Sequence, residues 1–369
     1  MLPNEEELYY RLALSFVPEV GAKRGMALLK HFGTAKDIFK APAKELKKTD
    51  GITDERARGF KSAQVLQRAD EELRFIQKHD VQVLLITESN YPQRLTHCND
   101  APLLLYYKGN ANLNAAKLVA IVGTRKNTEY GLKLCETLIE GLQTQEDIIV
   151  VSGLAYGIDA IAHKKSVELS IPTIGGLGHG LDRIYPATNK NLAKDMLMNG
   201  GLLTEFPSGT MPDRTNFPMR NRIVAGISDV TVIVESDKSG GSLITAYMAS
   251  GYNREVAAFP GRVTDSKSAG CNDLIRSNIA AMITGPDDLL EQMNWNKGVK
   301  PKTVQKQLFL NLSDEEQKIV DILQTKDSVH ADDLYYQTGL GGSQLAATLL
   351  QLEMQGLIKT LPGKHYRMA

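Results

Sequence analysis

The 369-residue chain has little that would tie it to a membrane, an oxidising compartment or a metal. No apolar run approaches the roughly 18 residues of a spanning helix, and the opening MLPNEEELYY lacks the basic and apolar regions of a secretory leader. A cytoplasmic protein without a membrane partner is expected. Cys98, Cys135 and Cys271 are odd in number and far apart, which leaves neither a disulfide framework nor a metal-ligand spacing. An excess of one charge is missing too. Lys+Arg and Asp+Glu both total 43, so a polyanion site has to be a local patch. The Gly-x-Gly-x-x-Gly of dinucleotide binding and the Walker lysine pattern are also absent, and no cofactor is expected.

What the chain does have is a regular alternation from Lys117 onward. LVAIVG, IIVVSG, PTIGG, GLLTEF, VTVIVE and EVAAFPG read as short buried strands, with helices over 128–143, 156–169, 189–198, 219–226 and 241–252 between them. This order predicts a doubly wound parallel α/β sheet, with ligands bound outside the carboxyl ends of the strands, where the Gly-rich turns fall. Residues 81–86 and 103–107 read as strands that extend it.

Four segments are expected: a helical domain over 1–72, the core over 73–296, a basic linker over 297–312 and a winged helix over 313–369. In the first, VPEVGAKRGMALLKHFG and LKKTDGITDERARGF outline paired helix-hairpin-helix (SAM-like) units. Such hairpins grip phosphate through a Gly-x-Gly turn, but Glu19 stands where the first glycine would be and Thr53 where the last would be. Between residues 23 and 61 there are 11 Lys/Arg against 5 Asp/Glu. Both a packing or docking role and a nucleic-acid contact stay open, and a core of residues 73–296 is expected to bind its ligand unaided. In the last segment, Ser313 and Glu316 form a capping box, helices follow over 330–338 and 343–355, and a hairpin turns at Pro362-Gly363. The third helix, SQLAATLLQLEMQG, offers no Arg or Lys to a major groove. Partner contact, or backbone binding through Lys359, Lys364 and Arg367, is expected instead.

The turns of the core carry the chemistry. Gly123-Thr124-Arg125 ends the first core strand, with Thr128 placed to cap the next helix and Arg125 placed to meet an anion. Ser152-Gly153 opens the second turn, ahead of Asp159 and His163, four apart on one helix. Those three residues permit a catalytic triad or a structural network, and the lack of a strained serine elbow favours the network. The third turn, 175–186, contains His179. Arg214 lies on a loop leading to Phe217-Pro218, where a helix is expected to show Arg220 and Arg222 in its first turn, with Glu205 orienting one of them. Lys238 and then Ser239-Gly240-Gly241-Ser242 open another helix, a strand-turn-helix geometry in which backbone amides meet phosphate. Tyr156, Tyr185, Phe206 and Phe217 lie near these turns. Aromatic faces beside guanidiniums suit single-stranded nucleic acid; capping the core is the other use of such rings.

The strings VGTRKNTEYG, VSGLAYGIDAIAHK, GGLGHGLDRIYP, LLTEFPSGTMPDRTNFPMRNRIVAG, SGGSLITA and AFPG followed by GCNDLIR resemble the DprA/Smf family of DNA-processing proteins, over about residues 80–295. The resemblance implies a Rossmann-like core that binds single-stranded DNA, dimerises, and loads RecA recombinase during natural transformation. It marks Gly123, Thr124, Arg125, Phe217, Arg220, Asn221 and Arg222 as DNA-pocket residues. Relatives often carry a basic residue after the Tyr-Pro of the third turn; Ala187 stands there, so Arg183 or Lys190 would substitute. Residues 279–283, IAAMI, are either a dimer surface or a buried final strand.

A different class, the nucleoside-monophosphate phosphoribohydrolases and lysine-decarboxylase-like proteins, resembles the order of arginine helix, strand, Gly-Gly turn and helix. Its members carry a glutamate shortly after that turn. Here no acid follows Gly241 until Glu255, leaving Glu205 as the surviving candidate, so no catalytic residue and no metal site are expected.

Overall fold

The structure, a computed structural model, describes residues 3–295, 312–324, 328–355, 357–361 and 364–368. Among these, nine strands form one sheet: β1 (Gln82–Leu85), β2 (Leu104–Gly109), β3 (Lys117–Val122), β4 (Ile148–Ser152), β5 (Thr173–Gly176), β6 (Gly200–Thr204), β7 (Val230–Ile233), β8 (Glu255–Ala258) and β9 (Ala281–Met282). Their order is β1-β2-β6-β5-β4-β3-β7-β8-β9, parallel from β6 to β9 and antiparallel where β2 meets β1 and β6. The expected doubly wound Rossmann-like core is therefore present, with the strand order reversing between β3 and β7.

Burial on both faces explains the unbroken apolar run of β3. Leu118, Ala120 and Val122 pack with the Asn216–Ile227 and Gly241–Gly251 helices, while Val119 and Ile121 pack with the Glu129–Leu142 and Ile158–Glu168 helices. Each such aliphatic side chain contributes about 1.5–3 kcal/mol on full burial. The edge strand β9 leaves Ala281 and Met282 exposed while Ile283, just beyond it, is buried.

The boundary expected at residue 72 does not hold. One helix, Ala63–His79, runs across it, and Leu12, Leu28, Ile38 and Leu73 share a core with Val81, Leu85, Leu104 and Tyr106. Met1–Trp295 accordingly forms one compact unit, with Asn296–Ala369 a second. In the hairpins Glu19 takes a positive φ of 59°, filling the glycine position, and Thr53 caps the Asp54–Gly59 helix by accepting from the Arg56 amide. Arg56 pairs with Glu19 at 2.6 Å, so part of the local positive charge ties the two hairpins together.

The second unit has the winged-helix pattern. Ser313 and Glu316 cap the Asp314–Gln324 helix reciprocally. The Ala331–Thr338 and Gly342–Met354 helices follow, with a sheet ordered β10 (Val329–His330), β12 (His365–Met368), β11 (Ile358–Leu361). Lys359 and Arg367 are cross-strand partners. The expected turn at Pro362-Gly363 and the linker, apart from Leu312, lie outside the described residues. No helix among the described residues is long and apolar enough to cross a membrane.

Candidate nucleic-acid interface

A cleft of about 600 Å³ opens beyond the carboxyl ends of β3, β4 and β7, at the point where the strand order reverses. Open α/β sheets bind ligands at that position. Gly123, Thr124 and Arg125 form one wall and Gly153 the floor. Phe217, Arg220 and Asn221 descend one face of the Asn216–Ile227 helix, and Gly240, Gly241 and Ser242 form the opposite lip.

Two helix N-termini near the cleft behave differently. At the Glu129–Leu142 helix, the Glu235 carboxylate accepts from the Thr128 amide at 2.9 Å and from the Thr128 hydroxyl. A Cβ at Gly131 would collide with that carboxylate. The phosphate position of a nucleotide-binding turn is thus filled by a protein anion, consistent with the missing Gly-x-Gly-x-x-Gly. The Gly241–Gly251 helix starts at Gly240 with no side-chain cap and no acid in its first turn. Its leading amides are left for an anion.

Arg220 lies under the floor, 4% exposed, and donates to the Gly176 carbonyl at 2.9 Å. Its guanidinium and the Asp159 carboxylate both press on Gly153, where a Cβ would strike each. Burial holds the Asp159 carboxyl above its usual range, opposed by the charge of Arg220. Arg220 Nε, buried, has no partner among the described residues. Arg125 and Arg214 also line the cleft, and neither forms an ion pair among the described residues. Asp237, a third acidic neighbour, is engaged by Lys267 at 2.7 Å.

Aromatic rings edge the cation side. The Arg125 guanidinium lies 5.2 Å from the Phe217 ring centroid, and Tyr185 stands 5.9 Å behind Phe217 at 35°. Tyr185 and Tyr156 are about half exposed, a position that leaves their faces available rather than sealed in the core. His179 braces this rim from within. Its Nδ1 is 2.9 Å from the Gly180 carbonyl, while its Nε2 accepts from the Tyr185 amide at 3.3 Å. Burial lowers its pKa, and one donating and one accepting nitrogen suit the neutral ring.

Five expected site residues are not brought to the cleft. Arg222 pairs with Glu205 and donates to the Asp100 carbonyl, in a separate cleft of about 770 Å³ where Lys23, Arg24 and Arg222 face Asp50, Asp100 and Glu205. The helix begins at Asn216, earlier than expected, and residues i and i+2 project about 200° apart on a helix, so Arg220 and Arg222 cannot share a face. Ser152 is fully buried and donates to the Ile121 carbonyl at 2.6 Å. Arg183 pairs with Asp182 at 2.5 Å. Lys190 and Lys238 are exposed outside the cleft lining. His163 meets Thr173 at 2.7 Å rather than Asp159, which makes these residues a structural network and no triad. Sequence reasoning missed Arg214, Asp159 and Asp237 as lining residues; the Arg214 loop offered a signal, since it leads straight into Phe217.

The fold and this cleft define a class: a Rossmann-like protein with an arginine-rich, aromatic-edged anion site where the strand order reverses. A family model described as DNA recombination-mediator protein A matches residues 82–294, and one described as the DprA winged helix domain matches residues 306–364. The chain belongs to the DNA recombination-mediator protein A family. Protein Smf of Synechocystis is 30% identical over 405 residues, covering 99% of this chain and 100% of that one. The X-ray structure of DNA processing protein A from Streptococcus pneumoniae superposes with a TM-score of 0.65 at 30% identity, covering 79% of this chain and 98% of that one. DNA processing protein A from Helicobacter pylori, described for its single-stranded DNA binding mode, gives 0.53 at 30% identity over 58% of this chain and 96% of that one. Family membership places the chain with DNA-binding processing proteins and not with nucleotide-cleaving enzymes. Glu205, the carboxylate the enzyme alternative needed, is held by Arg222 in the other cleft.

Proposed function

We propose that the chain binds single-stranded DNA in the cleft between β3 and β7, as a homodimer, and passes the strand to RecA recombinase. The observation that carries the strand reading is the Arg125–Phe217–Tyr185 stack beside the uncapped Gly241–Gly251 helix. Phosphates would meet the Gly241 and Ser242 amides and the guanidiniums of Arg125, Arg214 and Arg220. An unstacked base would lie on the aromatic rim. Duplex DNA keeps its bases stacked and paired, so it can offer the phosphates but no face to the rings. The H. pylori relative's single-strand binding supports the same ligand here.

The salt dependence of binding tests the electrostatic part. Three phosphate contacts at roughly −0.7 each give a log–log slope near −2 per protomer for single strands; a slope near zero defeats it. The hand-over rests on the family's description as a recombination mediator. Its test is the lag before RecA filaments form on strands precoated with single-strand-binding protein. An unchanged lag would confine the role to strand binding. The homodimer reading draws on the exposed edge strand β9, whose free backbone edge and Met282 can pair with a second copy.

A further inference from the structure

Glu72 sits on the Ala63–His79 helix with its side chain 1% exposed, and its carboxylate faces a loop 136 residues further along the chain. The Ser208 amide donates to its two oxygens at 3.0 and 3.1 Å, and the Ser208 hydroxyl donates at 2.6 Å. Arg68, one turn earlier, pairs with Glu72 at 2.7 Å and donates to the Ser208 carbonyl at 2.6 Å. The amide, carbonyl and hydroxyl of Ser208 are thus all held from one helix. A carboxylate this buried is tolerated because several donors offset its lost hydration.

The loop so held is the approach to the cleft. The Gly209 amide donates to Asp182 at 2.9 Å, and the Gly180 amide donates to the Thr210 carbonyl at 3.2 Å, tying the loop to the turn that carries His179 and Tyr185. Asn216 Nδ2 donates to the Met211 carbonyl at 3.2 Å, and the loop then delivers Arg214 and Phe217 to the cleft wall. Gly209, next to the anchored residue, has φ +83°, a conformation few other residues adopt, so the chain turns sharply just where Glu72 grips it.

We propose that Glu72 is a positioning residue for strand binding: by fixing Ser208 it sets where Arg214 stands over the cleft. The N-terminal helices then govern DNA affinity without touching DNA, and a fragment starting at residue 73 would lose that grip as well as half of its helix. The inference rests on the strand-binding reading above.

The test is a double-mutant cycle in the full chain, read as affinity for a fluorescent oligothymidylate. Glu72→Ala should weaken binding by about five- to tenfold, the size of one charge-assisted contact. Arg214→Ala should do the same, and the double variant should be little weaker than either alone. Arg125→Ala should cost as much in the Glu72→Ala background as in the natural chain. Glu72→Gln, which keeps an acceptor for the Ser208 amide, should retain intermediate affinity. If Glu72→Ala fails to fold, Glu72→Gln combined with Arg214→Ala runs the same cycle at a smaller loss, because Gln weakens the hold on both the Ser208 amide and hydroxyl. Multiplying losses for Glu72 and Arg214, or an unaffected Glu72→Ala affinity in a folded protein, overturns the proposal. Unchanged binding in both Arg125→Ala and Arg214→Ala would instead overturn the strand-binding reading itself.

Discussion

Arg125, at the end of β3, holds its guanidinium 5.2 Å from the centre of the Phe217 ring, on the helix across the cleft. The cation and the ring are thus in place before any ligand arrives, which lowers the ordering cost of binding. Arg125→Ala should cost roughly 1–3 kcal/mol of single-strand affinity. Phe217→Ala should cost a similar amount, about 1–3 kcal/mol for a stacked base. Because the two touch, the double variant should lose less than the sum. Full additivity, measured by fluorescence anisotropy, would show that they bind independently.

Arg220 and Arg222 should part company. Arg220→Ala removes a cleft cation and leaves Asp159 buried without its compensating charge, so it should weaken both DNA binding and the fold. Arg222→Ala should leave strand affinity within about twofold while lowering thermal stability, because Glu205 loses its partner at 13% exposure. Equal losses of affinity in the two variants would place DNA in both clefts.

What the sequence made legible here was periodicity and turn chemistry. The six apolar runs from β3 to β8 and the small residues of 239–242 appear where their patterns put them, because burial on both faces and glycine conformation act locally. Helix phase was not legible. Residues two apart project about 200° apart wherever a helix starts, so only one of Arg220 and Arg222 could face the cleft, and the local pattern did not say which of the two Glu205 would hold. Nor could any local pattern show that Glu72 and Ser208 meet, or that Glu235 would occupy the turn before Gly131, since each pairing spans more than 100 residues.

His163 should make the fold acid-sensitive. It is fully buried, with Nδ1 2.7 Å from the Thr173 hydroxyl; burial, and secondarily the charge of Arg220, push its pKa down to about 3. The unfolded imidazole binds a proton near pH 6.5 and the folded one does not until about pH 3, so unfolding takes up a proton within that window. The stabilisation is complete above about pH 6.5 and is lost as pH falls toward 3. Between pH 7.5 and 5.5 the natural chain should lose about 1.4 kcal/mol more than His163→Gln. Parallel losses in denaturant titrations would mean that this imidazole protonates freely in the folded protein.

Met282, 58% exposed on edge strand β9, can accept a charge without disturbing the core. Met282→Asp should therefore stay folded and sediment as a monomer where the natural chain sediments as a dimer at micromolar concentration. Cooperative binding to long strands should fall with it, since joining two cleft sites raises the effective concentration of the second. A natural chain that is monomeric and still cooperative would remove self-association from the account.

The most direct test of the account is a fluorescence titration with single-stranded and duplex DNA of equal length and ionic strength. The arrangement of Arg125, Phe217 and Tyr185 beside the uncapped Gly241–Gly251 helix predicts clearly tighter binding of the single strand, with that preference reduced in Phe217→Ala. Equal affinity for both forms, or measurable affinity for neither, would contradict it.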